Sequence, residues 1–256
     1  MIYAMSDIHG CLDAFMAAVE KIDFSGSNRL VLLGDYIDGG SESGYVLRHI
    51  QDMQKEHGSE KIIALKGNHE QMILDWVYGS RNTGHSTARD CGISRHEWFN
   101  FDLSHNFRTL RSIFSSRSMA KLKVLAQTAT VGDLSEVAAR LIWDESGEMI
   151  GWLRKLPLYC ETSDYVFVHA GIDEDARELW KTGTPDWMFL EKYPPTKGKF
   201  YKTVIAGHVG TSSEYLANDP DFHGIYYDGE SHYYIDGSTV ISGKAPILCL
   251  DRDTLQ

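Results

Sequence analysis

Five short clusters of metal-capable side chains are spread along the sequence, and each follows an apolar run of strand length. The clusters are "SDIHG" with Asp7 and His9, "GDYID" with Asp35 and Asp38, "GNHE" with Asn68 and His69, "FVHAG" with His169, and "IAGHVG" with His208. Each cluster alone is weak evidence, because Asp-x-His and a single His after a strand often occur without a metal. Together, carboxylate, imidazole and amide oxygen suit Mn, Fe or Zn better than Mg or Ca.

Two such ions can activate a water between them and clamp the attacking and leaving oxygens of a displacement at phosphorus. Two ions that lie a few ångströms apart need a shared ligand, and a carboxylate with two oxygens can bridge them. Asp35 is central in the order of the clusters, so we expect it to be the bridge.

The apolar runs alternate with segments of helical spacing, which indicates how the clusters are positioned. Strands are predicted at "MIYAMSD", "RLVLLGD", "KIIALKGNHE", "DYVFVHAG" and "KTVIAGHVG", and helices at "CLDAFMAAVEKID" and "SGYVLRHIQDMQKEHG". This β-α-β-α-β order predicts an α/β layered domain with right-handed crossovers. Since ligands bind beyond the carboxyl ends of strands in open α/β sheets, we expect the clusters to converge. The Tyr- and Gly-rich tail predicts antiparallel hairpins.

The segment at about 78–157 differs from the rest, because it lacks apolar strand runs and is rich in Arg, Ser and Thr. Stretches such as "SMAKLKVLAQTA" and "DLSEVAARLIWDE" predict helices. We interpret this segment as a mainly helical cap inserted into a single domain that spans residues 1–256.

The bulk composition restricts the classes of partner. A net charge of −11 without a basic run makes nucleic acid a poor partner. The start of the sequence has neither a basic segment nor a long apolar run, and no stretch reaches membrane-spanning length. The four cysteines are scattered and form no CxxC pair, which is typical of idle thiols in a reducing compartment. We therefore expect a cytoplasmic protein that binds neither nucleic acid nor membrane.

In their order, "SDIHG", "GDYID", "GNHE", "HAG" and "GH" resemble the calcineurin-like metallophosphoesterases. Within that family they are most similar to the phosphoprotein phosphatase branch, which includes serine/threonine phosphatases and diadenosine tetraphosphatases of bacteria and phages. Gly210 stands where the wider family has a second His, and this also points to the phosphatase branch. The resemblance implies a four-layer α/β/β/α sandwich, and attack by a metal-bound hydroxide without a covalent phosphoenzyme.

The resemblance also implies a role for each matching residue. Asp7 and His9 would hold the first metal, Asp35 would bridge, and Asn68, His169 and His208 would hold the second. His69 would act as general acid beside the leaving oxygen, with Asp38 orienting it and supporting its charge.

Two departures from the family pattern concern the phosphate. The family usually has Asp-Arg-Gly where this chain has Asp38-Gly39-Gly40, and that Arg grips the phosphate. A second family Arg aligns with Glu191 in "WMFLEKY". Without these cations, hydrolysis of a phosphomonoester should weaken unless another cation replaces them. We hypothesise that Arg89, or a near neighbour in the cap, supplies this contact.

The sequence as a whole predicts a two-metal phosphoric ester hydrolase that uses two divalent ions, with manganese favoured and iron or zinc as alternatives. A phosphomonoester is the favoured substrate, either a phosphoprotein, as for a serine/threonine phosphatase, or a small phosphoester. One alternative is a phosphodiesterase or a dinucleoside polyphosphate hydrolase, because a diester carries less charge and tolerates the loss of Arg better. A further alternative is a non-catalytic, metal-binding regulatory protein.

Overall fold

The computed structural model describes residues 1–79 and 96–251, which form a mixed α/β fold with two sheets. The strands are β1 (Ile2–Met5), β2 (Arg29–Leu32), β3 (Ile62–Ala64), β4 (Tyr159–Glu161), β5 (Tyr165–Val168), β6 (Thr203–Ala206), β7 (Tyr226–Tyr227), β8 (His232–Tyr234) and β9 (Leu248–Leu250). The helices are α1 (Leu12–Val19), α2 (Ser43–His57), α3 (Asn68–Gly79), α4 (Glu97–Ser104), α5 (Arg108–Ile113), α6 (Ser116–Leu125), α7 (Val131–Lys155), α8 (Trp180–Gly183), α9 (Asp186–Glu191) and α10 (Thr239–Ser242), with a 3₁₀ helix at Glu174–Leu179.

Parallel strands form the centre of both sheets. The first sheet has the order β3-β2-β1-β9, in which β9 alone runs antiparallel. The second has the order β4-β5-β6-β8-β7, with antiparallel strands at its two edges. In the first sheet, Met5 pairs with Leu32, and Leu32 pairs with Ala64. Because this register aligns the carboxyl ends of three strands, the loops that follow them leave from one edge.

Alternate residues of the central strands enter different hydrophobic clusters. Tyr3 and Met5 of β1 pack with the helices, whereas Ile2 and Ala4 pack against the second sheet. In β5, Phe167 faces the first sheet, and its neighbours lie in a cluster that contains Trp180 of α8 and Phe189 of α9. The predicted α/β class is therefore confirmed. The four-layer order stays a prediction, which this division into clusters supports.

The segment between β3 and β4 is helical throughout its described part, from α3 to α7. Trp76 of α3 packs on Trp98 and Phe99 of α4, with ring centroids 4.9 and 5.4 Å apart. These side chains belong to the same buried cluster as Met5 of β1 and Leu47 of α2. The cap thus shares a core with the helix side of the first sheet, which supports the prediction of a single domain.

The tail forms one of the predicted hairpins, since β7 and β8 pair antiparallel. The last strand differs from the expectation, because β9 crosses to the first sheet and pairs with β1. Its Leu248 and Leu250 enter the cluster between the sheets, whereas Cys249 is exposed. Burial of these two leucines explains the crossing. In the described ranges, no helix combines the length and the apolar character needed to cross a membrane.

Candidate active site

Hydrogen bonds tie the strand-end loops to one another. In the first sheet, His9 N donates to Asp35 O at 2.9 Å, and His69 N donates to Asp35 Oδ1 at 3.1 Å. Between the sheets, His208 N donates to Asp7 Oδ2 at 3.0 Å. Four of the five sequence clusters therefore meet at one place, as expected for loops that follow the carboxyl ends of parallel strands.

Five of the residues at this place have left-handed backbone angles, although none is glycine. The φ values are 53° at Asp7, 48° at His9, 55° at Asp35, 69° at Asp38 and 65° at His208. Such conformations are uncommon for residues with a Cβ, and they persist only where the surroundings fix them. The loop hydrogen bonds and the close packing of Gly67 provide this support, since a Cβ at Gly67 would lie 2.2 Å from Asp35 Oδ1.

One group of ligand atoms surrounds one side of Asp35. His169 Nε2 lies 3.5 Å from Asp35 Oδ2, and the donor atoms of Asp35, His169 and His208 all lie within 4.8 Å of one another. A terminal atom of the Asn68 amide lies 2.9 Å from His169 Nε2, 3.1 Å from Asp35 Oδ2 and 3.3 Å from His208 Nδ1. These four residues could hold one cation, and they are the predicted second set.

A second group lies on the other side of the same carboxylate oxygen. His9 Nε2 is 3.6 Å and His69 Nε2 is 3.9 Å from Asp35 Oδ2. Asp7 Oδ1 lies 3.9 Å from His9 Nε2, so Asp7 borders this group. The structure thus brings together all six predicted ligands around Asp35, and it also brings His69 close to the first set.

The histidine tautomers leave nitrogen lone pairs free for a metal. His9 Nδ1 and His169 Nδ1 each lie 3.0 Å from a backbone carbonyl, of Ile37 and Leu33 respectively. Donation to these carbonyls leaves each Nε2 unprotonated and facing Asp35. A ring nitrogen oriented by a carbonyl in this way is the usual support of a metal-binding His.

The charges of the site also fit a bound cation. Asp7 and Asp35 are 1% and 2% exposed, and within residues 1–79 and 96–251 neither pairs with a Lys or Arg. Burial, followed by the charges of Asp236 and Asp35, holds the pKa of Asp7 well above its usual range. Burial lowers the pKa of His169 to about 4, which keeps this imidazole neutral and able to bind a metal. Two buried carboxylates that pair with no Lys or Arg in these ranges favour a bound cation, and divalent ions would supply that charge.

Glu70 fixes the loop that carries Asp35. Its buried carboxylate accepts hydrogen bonds from the backbone N–H groups of Asp35 at 2.8 Å, Tyr36 at 2.9 Å and Gly67 at 3.0 Å. Burial, with the nearby Asp35 charge, raises the pKa of Glu70 to about 7. Glu70 is the last residue of the "GNHE" motif, and we predicted no role for it from the sequence. Its position within the motif was the only available signal.

His69 and Asp38 form the predicted dyad, in which His69 Nδ1 donates to Asp38 Oδ2 at 2.7 Å. Burial alone would lower the pKa of His69, but Asp35 and Asp38 outweigh this effect and raise it to about 9. A cationic His69 keeps one proton on Nδ1 for Asp38 and carries the other on Nε2, the nitrogen that faces Asp35. His69 can therefore donate a proton at the centre of the site.

Two side chains of the cap hold the Asp38 carboxylate. Trp98 Nε1 of α4 donates to Asp38 Oδ2 at 2.9 Å, and Thr109 Oγ1 of α5 donates to Asp38 Oδ1 at 2.5 Å. Ser43 Oγ accepts from Asp38 N at 3.0 Å. Sequence reasoning missed all three residues, because no local motif marks them.

The predicted phosphate contacts have separate outcomes. Arg89 lies outside the described residues, so its predicted role stays a hypothesis. Glu191 is exposed at the end of α9. The neighbouring Lys192 amine donates to Ile172 O and pairs with Glu174, so its charge is already balanced. Neither Glu191 nor Lys192 therefore supplies a free cation for the phosphate.

Comparisons with known proteins agree with this geometry. The family profile described as Calcineurin-like phosphoesterase matches residues 1–236. A symmetrical bis(5'-nucleosyl)-tetraphosphatase of Aromatoleum aromaticum is 25% identical over 172 residues, which cover 67% of this chain and 44% of the relative. Its counterpart from Delftia acidovorans is 37% identical over 90 residues, or 35% of this chain and 29% of the relative. The matches thus span less than half the length of these curated relatives.

Among solved structures, a cold-active protein-tyrosine phosphatase of a Shewanella species has a similar fold. The two chains are 15% identical with a TM-score of 0.51, and the match covers 98% of this chain and 75% of the other. At this identity, the likeness concerns the fold alone.

Proposed function

This chain belongs to the calcineurin-like phosphoesterase family, and we propose that it is a two-metal phosphoric ester hydrolase whose favoured substrate is a phosphomonoester. One observation carries the proposal. The His69–Asp38 dyad, with its 2.7 Å hydrogen bond, lies beside a carboxylate oxygen of Asp35 that three imidazoles surround. A protein that only bound metal would not need a proton donor at this position.

The proposed ligands follow the two groups around Asp35. Asp7, His9 and Asp35 would hold one ion, and Asp35, Asn68, His169 and His208 would hold the other. We propose manganese, because carboxylate, imidazole and amide ligands suit it. When bound, the two ions would supply the positive charge that activates a water and stabilises the transferring phosphoryl group.

The residues of the chain supply orientation and a proton. Asp38 orients His69 through the Nδ1 hydrogen bond, and cationic His69 gives its Nε2 proton to the leaving oxygen. As the P–O bond to the alcohol breaks, this proton makes the alcohol neutral. The water adds its oxygen to phosphorus and releases one proton to solvent, and a proton from solvent restores His69.

A phosphodiesterase or a dinucleoside polyphosphate hydrolase is the second candidate function. Gly39 lacks the Arg that grips a dianionic phosphate in the family, and this absence matters less for a monoanionic diester. The names of the curated relatives, symmetrical bis(5'-nucleosyl)-tetraphosphatases, favour the same substrate class.

Parallel assays with Mn²⁺ discriminate these functions. We would compare kcat/KM for p-nitrophenyl phosphate, bis(p-nitrophenyl) phosphate and diadenosine tetraphosphate, with Asp35→Asn protein purified identically as the control for contaminants. The favoured function predicts the highest kcat/KM for the monoester. A tenfold preference for either of the other two substrates would replace it with the second candidate. If the wild-type protein held two ions but hydrolysed none of the three substrates, a non-catalytic role would replace both candidate functions.

The proposal includes a cytoplasmic location. In the described part of the chain, Cys11, Cys160 and Cys249 are all free thiols, which is consistent with a reducing compartment. Fluorescence microscopy of a tagged chain in its native cell, beside a cytoplasmic marker, would test it.

A further inference from the structure

Arg108 of the cap reaches the loop in which the family Arg is missing. Its Nη1 donates to Gly39 O at 2.5 Å, although the residue itself is largely exposed. Within residues 1–79 and 96–251, no other Lys or Arg side chain hydrogen-bonds the loop 35–40. Among the described residues, Arg108 is therefore the cation that contacts this loop.

A side chain at position 39 is disfavoured by the local geometry. The φ angle of Gly39 is +73°, and a Cβ would lie 2.8 Å from Val240 Cγ2 and 3.2 Å from His9 Cβ. An arginine at this position would need both a strained backbone and a shift of Val240. A cation that acts near Gly39 is therefore more easily supplied by another element. Arg108 makes its contact at Gly39, which lies beside Asp38 and His9.

The start of α5 is fixed next to the dyad. Asp102 accepts from Thr109 N at 2.7 Å and from Leu110 N at 3.3 Å, which satisfies the first turn of the helix. Gly44 N donates to Ser112 Oγ at 2.8 Å, which ties α5 to α2. Because Thr109 also holds Asp38, the backbone of its neighbour Arg108 has a defined distance from the dyad.

The remaining guanidinium donors are available to a ligand. A guanidinium has five N–H donors in a planar fork, and the described contact uses one nitrogen. Arg108 borders a small cavity of about 50 Å³ that Gly39, Asp102 and Thr109 also line. The Asp102 oxygens are turned toward the backbone N–H groups of α5, so they do not neutralise Arg108.

From these contacts, we propose that Arg108 binds the substrate phosphate in place of the arginine that is absent at Gly39, and thereby selects a dianionic phosphomonoester over a diester. This proposal rests on the proposed function. A planar fork matches two phosphate oxygens at once, and the second negative charge of a monoester makes its interaction with a cation stronger than that of a diester.

The test compares Arg108→Ala with Arg111→Ala. Arg111 is the matched control, because it is exposed on the same helix and its guanidinium donates to Asn106 O. For Arg108→Ala, we expect kcat/KM for p-nitrophenyl phosphate to fall by roughly 10- to 100-fold and that for bis(p-nitrophenyl) phosphate by at most about threefold. Manganese content and Tm should not change, and Arg108→Lys should recover part of the loss. Arg111→Ala should resemble the wild type on both substrates.

Binding of inorganic phosphate to the Mn-loaded protein, measured by calorimetry, is the second readout. We expect Arg108→Ala to weaken the Kd by roughly tenfold. An unchanged Kd, or an equal loss of both activities, overturns the role of Arg108. If the wild type binds phosphate through Arg108 but hydrolyses no ester, only the proposed function fails. If the wild type does not bind phosphate, the role of Arg108 fails as well.

Discussion

The strand-end loops and the cap both reach the candidate active site, but they hold their functional side chains by different means. In the loops, backbone groups do most of the work, as when His9 N donates to Asp35 O and Glu70 binds a row of N–H groups. In the cap, single side chains reach across to the loop, as Trp98 and Thr109 do to Asp38. The loops that carry the proposed metal ligands are therefore fixed largely by backbone hydrogen bonds. The His69–Asp38 dyad depends instead on individual side-chain contacts between distant segments.

This difference predicts two kinds of variant, one that loses metal and activity together and one that loses activity alone. A change in the loops should remove metal and activity together, because the ligands share Asp35. A change in the cap should alter activity while the metals remain, because the cap contacts Asp38 and Gly39 but none of the six proposed ligands in the hydrogen bonds described above. Variants taken in order from Asp35 in the loops to Asp102 in the cap test whether metal content and activity are lost separately.

Asp35→Asn should have the largest effect, because it removes the charge that the two proposed ions would share while keeping the shape of the side chain. We expect metal content to fall well below two ions per chain and kcat/KM to fall by at least about 10³-fold. Elemental analysis by mass spectrometry and the p-nitrophenyl phosphate assay measure the two effects. Asp52→Asn is the control, because Asp52 is exposed and pairs with Lys55. Two ions retained in Asp35→Asn would show that Asp35 is not the bridge.

His69→Asn lies at the junction of the two regions. We expect turnover of phenyl phosphate to fall by about 10²- to 10⁴-fold, because its leaving oxygen needs a proton. The loss should be smaller for p-nitrophenyl phosphate, whose leaving group is stable as an anion, and metal content should stay at the wild-type value. Loss of an ion would instead make His69 a ligand, in line with its 3.9 Å distance from Asp35 Oδ2. Unchanged turnover of both substrates would remove His69 from the mechanism.

Thr109→Val should have a moderate effect confined to activity. The substitution keeps the shape but removes the donor to Asp38 Oδ1, and we expect kcat to fall roughly tenfold without a change in metal content. Thr109→Ser should restore the rate, since it restores the hydroxyl. Thr184→Val, at a buried threonine on the second sheet side, controls for the general cost of burying a methyl group. If Thr109→Val also lost metal, the two regions would not be separable.

Asp102→Asn should have the smallest effect, visible as a change in how stability depends on pH. Burial raises the pKa of Asp102 from 3.8 to about 7, so the folded chain binds this proton more tightly than the unfolded chain. The contribution of Asp102 to stability is therefore greatest below about pH 4 and decreases as pH rises toward 7. Because Asn does not titrate, Tm of the variant relative to the wild type should rise by roughly 5–10 °C between pH 5 and pH 8. Parallel Tm curves would contradict this expectation.

The sequence could predict which strand-end residues come together, because each of them lies in a short local motif. Each proposed ligand directly follows an apolar strand, and parallel pairing brings the ends of these strands to one edge. Glu70 was within reach of the same reasoning, since it belongs to a quoted motif. The α/β class and most strand positions followed from the same apolar runs, whereas β9 did not, because nothing in "PILCL" indicates which sheet it joins.

The cap side could not be predicted in this way. Trp98 and Thr109 lie 60 and 71 residues from Asp38 in sequence, so their contacts depend on how α4 and α5 pack. Arg89, the cap residue that we named for the phosphate contact, lies outside the described residues and stays a hypothesis, whereas the hydrogen bond to Gly39 O comes from Arg108. Helical spacing predicts that such helices exist, but it does not predict which of their polar residues face the loop.

The left-handed backbone at Asp7, His9, Asp35, Asp38 and His208 has a consequence for laboratory evolution. At each of these positions glycine would relieve a strain on the order of 1 kcal/mol while deleting a ligand or the partner of the acid. A selection that rewarded only resistance to heat would therefore retain a glycine wherever the relieved strain exceeds the lost side-chain contacts, which at Asp38 include Trp98 and Thr109, and such a chain would lack part of its chemistry. Enzymes of this architecture should be evolved under a simultaneous demand for turnover.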